Sequence, residues 1–149
     1  MITLSIRYKS TSKGEWEDVE TFHPRGLSVV RIGRLASIND LVLSDRQSDR
    51  SYISKRHCTL LLQPDQLDYE IMDGTISEIG VGERGRIIPS TCGTLVNNRK
   101  LDLGEKRLLK NKDIIAIVPN QIEISYLHPE LRVWGEEFDT YVPTDEEDL

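Results

Sequence analysis

The stretch Ser54-Lys55-Arg56-His57 joins a turn-rich segment, 44–53, to the strand-forming run Cys58 to Gln63. It places a hydroxyl group and two cations within three residues where a loop becomes a strand, which favours holding an anion over covalent chemistry. Upstream, the step Gly33-Arg34 ends another predicted strand and adds a further arginine. We therefore predict that these two stretches form one phosphate site and that most of the chain is scaffold for it.

The residues on either side of this stretch predict short strands. Ile2, Leu4, Ile6 and Tyr8 alternate with polar residues, the period of a strand with one solvated face. No stretch keeps a helical period over three turns, and the strands recur about every ten residues, which is typical of a β-sandwich or barrel. The fold class predicted is all-β, with strands near 2–8, 17–23, 28–33, 40–43, 58–63, 67–71, 94–97, 114–118 and 121–126.

Length and composition limit the classes of protein. A chain of 149 residues suits one domain plus a tail, and its longest aliphatic run, Ile114 to Val118, is far too short to cross a bilayer. The N-terminus lacks the pattern of a secretory signal, so we expect a cytoplasmic protein. Cys58 shares a strand face with Leu60 and Leu62 and is predicted to be a small buried residue. The scattered cysteines and histidines have no metal-ligand spacing, so we predict neither a metal nor a cofactor.

The charge divides the chain into two parts. The net charge is −6, but the segment from Glu130 to Leu149 holds eight acids against Arg132, a balance of −7. Residues 1 to 129 therefore carry 17 acids and 18 bases, or +1. A nearly neutral body argues against a nucleic-acid partner. We predict a domain over 1–128 and an acidic, flexible tail over 129–149, with no membrane partner.

A glycine motif in the middle of the chain is set aside. The sequence Gly80-Val81-Gly82-Glu83-Arg84-Gly85 spells the dinucleotide fingerprint, which works only where a helix begins at its last glycine. Pro89 follows four residues later with no helical pattern behind it. The segment 75–89 is therefore predicted to be an inserted loop or a small hairpin, with glycines that allow positive φ.

Three motifs, in this order along the chain, resemble the sequence pattern of a known family. Gly33-Arg34, Ser54-Lys55-Arg56-His57 and the stretch Ser90 to Asn98 follow the pattern G-R, S-x-x-H, S-x-N-G-T-x-V-N-G. In this the chain resembles the forkhead-associated (FHA) family from about Leu27 to Leu127. The resemblance implies a β-sandwich of about eleven strands whose motif loops gather at one end and bind phosphothreonine in extended peptides.

The resemblance also implies a role for each matching residue. Arg34 would be the phosphate-binding arginine, whose planar fork suits a group with about −1.5 to −2 charges. Ser54 would donate a hydroxyl hydrogen bond, Lys55 would supply a point charge, and Thr91 would donate from the facing loop. The position of Cys92 would orient the ligand backbone.

Other motif residues would shape the site without binding the phosphate. The structural set is Gly33, His57, Gly93, Thr94 and Asn97, with His57 bracing the loops. Tyr52 would lie near the part of the site that selects the ligand residue at the third position after the phosphothreonine.

Two departures from the family pattern matter for binding. Cys92 stands where the family has asparagine, and a thiol cannot donate and accept as an amide does. Between Asp73 and Ser90 the chain is longer than usual, and the extra residues could extend the peptide groove or cover it.

Three alternatives to a simple phosphothreonine reader follow from these residues. One is a phosphate-independent FHA-like scaffold, motivated by Cys92 and the insertion. Another is an enzyme with Cys92 as nucleophile and His57 as base, for which no orienting partner is evident. The third concerns the acidic tail, where a phosphorylated Thr144 could dock into its own or a neighbour's site and cause self-association.

Overall fold

Thirteen strands form nearly all the regular structure of the computed structural model, which describes residues 2–10, 14–44, 52–64, 67–77 and 85–129. The first seven are β1 (Thr3–Lys9), β2 (Trp16–Phe22), β3 (Val29–Gly33), β4 (Leu41–Val42), β5 (Cys58–Leu62), β6 (Tyr69–Asp73) and β7 (Thr75–Ile76). The others are β8 (Ile87–Ile88), β9 (Leu95–Val96), β10 (Arg99–Lys100), β11 (Lys106–Leu108), β12 (Asp113–Val118) and β13 (Ile122–Leu127). A 3₁₀ turn spans Ala36–Ile38, and nowhere in the described ranges is a helix long and apolar enough to cross a membrane.

The strands form two main sheets. One has six strands in the order β10-β9-β12-β13-β1-β2, and the other has five in the order β11-β6-β5-β3-β4. Within the described residues all neighbours are antiparallel except β3 and β4. The two sheets together contain the expected eleven strands, and the insertion adds β7 and β8 as a separate pair.

The alternating pattern of the sequence accounts for the single core between the sheets. On β1, Leu4, Ile6 and Tyr8 are buried while the residues between them are partly exposed, as predicted. Apolar residues from the other sheet, including Ile32 and Leu60, belong to the same buried cluster. Two facing sheets with one shared core make a β-sandwich, so the predicted fold class is confirmed.

Two tyrosines illustrate how the sheets are tied together. The hydroxyl of Tyr126 on β13 accepts a hydrogen bond from the Tyr69 amide on β6 at 3.2 Å and donates to Asp68 at 2.7 Å. Burial is the main reason that the pKa of Tyr126 is raised, so the hydroxyl keeps its proton for this bond.

The segment 75–89 contains a small hairpin at its base. Thr75 pairs with Ile88 and Ile76 with Ile87, which confirms one of the two predicted forms. Residues 78–84, and with them most of the glycine motif from Gly80 to Arg84, lie outside the described residues, as does the tail from residue 130. The sequence pattern did not predict β10, β11 or the 3₁₀ turn, because these elements are too short to show a period.

One end of the five-stranded sheet positions the motif residues. Ile32 near the end of β3 pairs with Cys58 at the start of β5, and Cys58 pairs in turn with Asp73 at the end of β6. Cys58 is fully buried, as predicted. The loops that follow β3 and β6 and the loop that precedes β5 therefore meet at the same end of the sandwich.

Candidate functional site

The loop that leads into β5 is held directly against the end of β3. The Arg34 amide donates to the Ser54 carbonyl at 3.1 Å, and the His57 amide donates to the Ile32 carbonyl at 2.7 Å. The Arg34 side chain adds a bond from Nε to the Ile53 carbonyl at 2.9 Å, which orients its guanidinium. These contacts bring Arg34 beside Ser54 although the two residues are 20 positions apart.

Gly33 allows this close approach. A Cβ atom at position 33 would collide with the carbonyl of Lys55 and lie 2.9 Å from the Cα of Arg56. Asn39 secures the same backbone from the other side, since its Nδ2 donates to the Lys55 carbonyl at 2.5 Å. The backbone carrying Lys55 and Arg56 is thus fixed before any ligand arrives.

His57 connects this loop to the loop that precedes β9. Its ring is fully buried, Nδ1 accepts from the Ser54 amide at 3.1 Å, and Nε2 donates to the Gly93 carbonyl at 2.8 Å. Burial lowers the pKa of His57, against the opposing effects of the Gly93 carbonyl and the charge of Asp73. The ring is therefore neutral near pH 7 with its proton on Nε2.

The loop that precedes β9 is organised around a buried carboxylate. Asp73 accepts from the Ser90 hydroxyl at 2.6 Å, the Ser90 amide at 3.1 Å and the Thr94 hydroxyl at 2.6 Å. The Ser90 hydroxyl oxygen in turn accepts from the Gly93 amide at 2.8 Å. Hydrogen bonds of this kind compensate a buried carboxylate and fix the loop on which Thr91 and Cys92 lie.

Ser54 and Thr91 face each other across the two loops. The Thr91 amide donates to Ser54 Oγ at 2.8 Å, while the two hydroxyl oxygens are 3.4 Å apart. A hydroxyl contact this long is weak, so the Ser54 proton can turn to a better acceptor at little cost.

An open cavity of about 620 Å³ lies where these loops meet the inserted hairpin. Its polar lining from the loops comprises Arg34, Ser54, Lys55, Arg56 and Thr91. The hairpin and the residue after it contribute Thr75, Ser77, Ile88 and Pro89, and Ile38 and Ile53 complete the described lining. These lining residues include three cations and no carboxylate, so the cavity suits an anion.

Of the residues predicted to bind ligand, the structure brings Arg34, Ser54, Lys55 and Thr91 into this lining. Cys92 is partly exposed and Tyr52 is 37% exposed, and neither is among the residues that line the cavity. Contact of either residue with a ligand stays a prediction.

Asn97 lies away from the cavity and joins strands. Its Nδ2 donates to Asp113 at 3.0 Å and its Oδ1 accepts from the Ile114 amide at 2.9 Å, which connects the end of β9 to β12. Thr94 is fully buried on Asp73.

Sequence reasoning missed Asp73 and Asn39 at this site, and it gave Arg56, one of the two cations before β5, no ligand contact of its own. The two hydroxyl residues of the loop, Ser90 and Thr94, were a signal that a buried acceptor would be needed, but the sequence does not say which acid supplies it. Asn39 offers no sequence signal, because its carbonyl partner is 16 positions away.

The enzyme hypothesis needs a free imidazole nitrogen near Cys92. Both ring nitrogens of His57 are engaged with backbone groups, so this histidine has no lone pair free to take a proton from a thiol. In the described ranges, no group of three His, Cys, Asp or Glu residues could hold a metal ion. The arrangement is suited to binding an anion rather than to covalent chemistry.

Comparison with known proteins agrees with the fold. Full-length yeast Pml1p is similar with a TM-score of 0.60 and 20% identity, covering 85% of this chain and 81% of that one. The MEK1 FHA domain is similar with a TM-score of 0.57 and 19% identity, covering 85% and 88%. The same MEK1 domain in complex with a HOP1 phosphothreonine peptide has a TM-score of 0.52 and 17% identity, covering 85% and 97%.

Sequence comparison gives the family. No curated protein sequence matches the chain significantly. The sequence profile of the FHA domain, however, matches residues 30–118, which is more than half of the chain and includes all three motifs. This chain therefore belongs to the FHA domain family.

Proposed function

We propose that this FHA domain binds protein segments phosphorylated on threonine and so acts as an interaction module in phosphorylation-dependent signalling or assembly. The observation that carries the proposal is the cavity in which Arg34, Ser54, Lys55 and Thr91 converge, with no carboxylate among its described lining residues. FHA domains use arginine-based recognition of phosphorylated motifs. The MEK1 FHA domain, which has the same fold, has been seen with a phosphothreonine peptide.

The arginine is ready to receive a phosphate. The bond from Arg34 Nε to the Ile53 carbonyl uses one of five guanidinium donors and leaves the terminal N–H groups for phosphate oxygens. Lys55 is exposed beside it, and the Ser54 hydroxyl can turn from its weak contact with Thr91. Binding thus requires little rearrangement of the loops.

The magnitudes allow binding of modest strength. Each hydrogen bond to a charged group contributes about 1.5 to 3 kcal/mol of binding free energy. Four such bonds together exceed the lower part of the free-energy cost of association, which is about 4 to 15 kcal/mol. The remainder must come from the peptide on either side of the phosphothreonine.

A phosphate-independent scaffold remains the second candidate. Cys92 favours it, because this residue lacks the amide of the family pattern and lies outside the described lining of the cavity. The two candidates differ in whether binding requires the phosphate.

An array of phosphothreonine peptides probed with the full chain would supply a ligand for titration by fluorescence anisotropy. We expect the plain peptide to bind far more weakly than the phosphorylated one. We expect Arg34→Ala to weaken binding at least about 30-fold, since it removes hydrogen bonds to a charged group.

The matched control is Arg25→Ala. Arg25 is exposed in the turn before β3, whereas the cavity lies after the end of that strand, so its loss should leave affinity unchanged. Equal affinity for phosphorylated and plain peptides would favour the scaffold, and unchanged affinity for Arg34→Ala would overturn the site.

A further inference from the structure

Arg56 is a cation of the cavity for which the proposed phosphate contact leaves no role. The residue is half-buried, and its Nε atom is fully buried without a hydrogen-bond partner. Among the described residues the Arg56 guanidinium makes no hydrogen bond and no ion pair, although it lines the same cavity as Arg34 and Lys55. A buried donor without an acceptor is costly, so such a group usually has a partner in the functional complex.

The charges of the cavity also favour a ligand with more negative charge than one phosphothreonine. Arg34, Lys55 and Arg56 bring three positive charges, and the described lining brings no negative one. A phosphothreonine compensates about 1.5 to 2 of them. About one positive charge is left over, which an additional acidic group of the ligand would compensate.

The inserted hairpin supplies hydroxyl groups to the lining of the same cavity. Ser77 Oγ accepts from the Arg86 amide at 3.0 Å, which leaves its hydroxyl proton for another acceptor. Thr75 of the same hairpin also lines the cavity, so the hairpin forms one wall of it. Among the described residues that line the cavity, the wall thus adds hydroxyl donors and no carboxylate.

The wall is fixed to the core, so its groups keep their place. The Gly74 amide donates to the His57 carbonyl at 2.7 Å, and Thr59 Oγ1 donates to the Gly74 carbonyl at 2.8 Å. Gly74 has φ +72°, and a Cβ there would collide with the carbonyl of Ile88, so only glycine allows β8 to lie this close.

We propose that Arg56, together with the Ser77 hydroxyl that lines the same cavity, forms a second anion subsite that binds an acidic group of the same phosphothreonine segment. The group is the carboxylate of an aspartate or glutamate, or a second phosphate. The proposal rests on the proposed function, because the acidic group is delivered by the phosphothreonine segment. The subsite makes this domain selective for acidic or doubly phosphorylated partners.

The experiment uses the full chain and three sets of synthetic peptides. One set carries a phosphothreonine with neutral flanking residues. The second carries in addition one glutamate, moved from three residues before the phosphothreonine to four after it. The third carries a phosphoserine at the same positions, which distinguishes a carboxylate from a phosphate as the ligand. We expect at least one position to bind about tenfold more tightly than the neutral peptide.

The variant Arg56→Gln should remove that gain, so that it binds the acidic and the neutral phosphothreonine peptides with affinities within about twofold of each other. The matched control Arg25→Gln should keep the gain, since it removes an exposed arginine away from the cavity. Ser77→Ala removes one donor and should reduce the gain. It also keeps the assignment testable if Arg56→Gln does not fold.

The outcomes separate this inference from the proposed function. If phosphothreonine peptides bind but no acidic position improves binding, the second subsite is wrong and the proposed function stands. If the gain persists in Arg56→Gln, Arg56 is the wrong residue. If no phosphothreonine peptide binds at all, the proposed function and the second subsite both fall.

Discussion

His57 shows what one residue contributes to this site. Its spacing from Ser54 is local, and the bond from the Ser54 amide to Nδ1 follows from that spacing. Its second bond reaches Gly93, 36 positions away, and depends on the complete sandwich. A protonated ring would have to give up the bond from the Ser54 amide, because Nδ1 would then carry a proton.

The first prediction at this scale concerns pH. Burial lowers the pKa of His57, so the unfolded chain, with an ordinary value of about 6.5, takes up the proton before the native state does. At pH values above the pKa of the unfolded chain, protonation of His57 should therefore not change the free energy of unfolding. That free energy should fall by up to about 1.4 kcal/mol per pH unit between the unfolded and the native pKa.

Urea unfolding of the wild type between pH 7.5 and 5.0, compared with His57→Gln, measures this slope. His23→Gln is the matched control, since it replaces an exposed histidine outside the site. If His57→Gln does not fold, NMR titration of the imidazole signals in the wild type gives the same answer. A His57 ring that protonates at the ordinary pH would contradict the prediction.

The two cysteines differ in burial. Burial, with a smaller effect from the charge of Asp73, raises the pKa of Cys58, so its thiol stays protonated and packs as an apolar group. Cys92 is partly exposed on the loop after β8. That loop is held by Ser90, Gly93 and Thr94, so its backbone is fixed without the side chain of position 92.

At the scale of elements, the β7–β8 hairpin belongs to the insertion between Asp73 and Ser90. The sequence left open whether the insertion extends the groove or covers it. The described base of the hairpin lines the cavity, with Thr75, Ser77 and Ile88 in its wall. Its base therefore forms part of the cavity wall, while residues 78–84 lie outside the described part of the chain.

A prediction follows for the apolar part of this wall. Ile88 is 50% exposed in the cavity, so a bound peptide would cover it and gain from the burial. Ile88→Ala should weaken peptide binding about fivefold, which corresponds to roughly 1 kcal/mol of apolar contact. Because the side chain is exposed in the free protein, its loss should change stability by no more than about 0.5 kcal/mol.

Ile76→Ala is the matched control for this prediction. Ile76 lies on the same hairpin and is 46% exposed, but it is not among the residues that line the cavity. Peptide titration and thermal unfolding of both variants would decide the matter. Equal losses of affinity in the two variants would mean that the wall acts through folding of the hairpin rather than through contact.

At the scale of the whole molecule, the division of charge separates a nearly neutral body from an acidic segment. The buried cluster runs from Leu4 to Tyr126, so every residue of the described core precedes the segment 130–149. That segment carries −7 of the net charge. Self-association through a phosphorylated Thr144 stays a prediction, as do the cytoplasmic location and the absence of a nucleic-acid or membrane partner.

Ending the chain at Pro129 should leave the free energy of unfolding within about 0.5 kcal/mol of the full chain, because no residue of the described core is removed. The net charge should change from −6 to +1. Thermal unfolding and ion-exchange elution measure the two effects. A loss of more than about 2 kcal/mol would show that the segment packs on the domain, contrary to the predicted boundary.

The sequence by itself determined the features that depend on local order. Alternation such as that of Leu4, Ile6 and Tyr8 predicts strands and their buried faces, because side chains on a strand alternate with period two. The order of the three motifs indicated the family and named Arg34, Ser54, Lys55 and Thr91. Each of these signals is carried by residues close together in the chain.

Tertiary structure alone decided which of these groups share a cavity and what surrounds them. Ser54 meets Thr91 across 37 positions, Asp73 organises the loop from Ser90 to Thr94, and the hairpin brings Ser77 to the cavity that Arg56 also lines. Such contacts depend on how strands distant in sequence pair and pack, which no local period encodes. That the Arg56 guanidinium lacks a partner among the described residues could therefore be recognised only once the sandwich had brought these loops together.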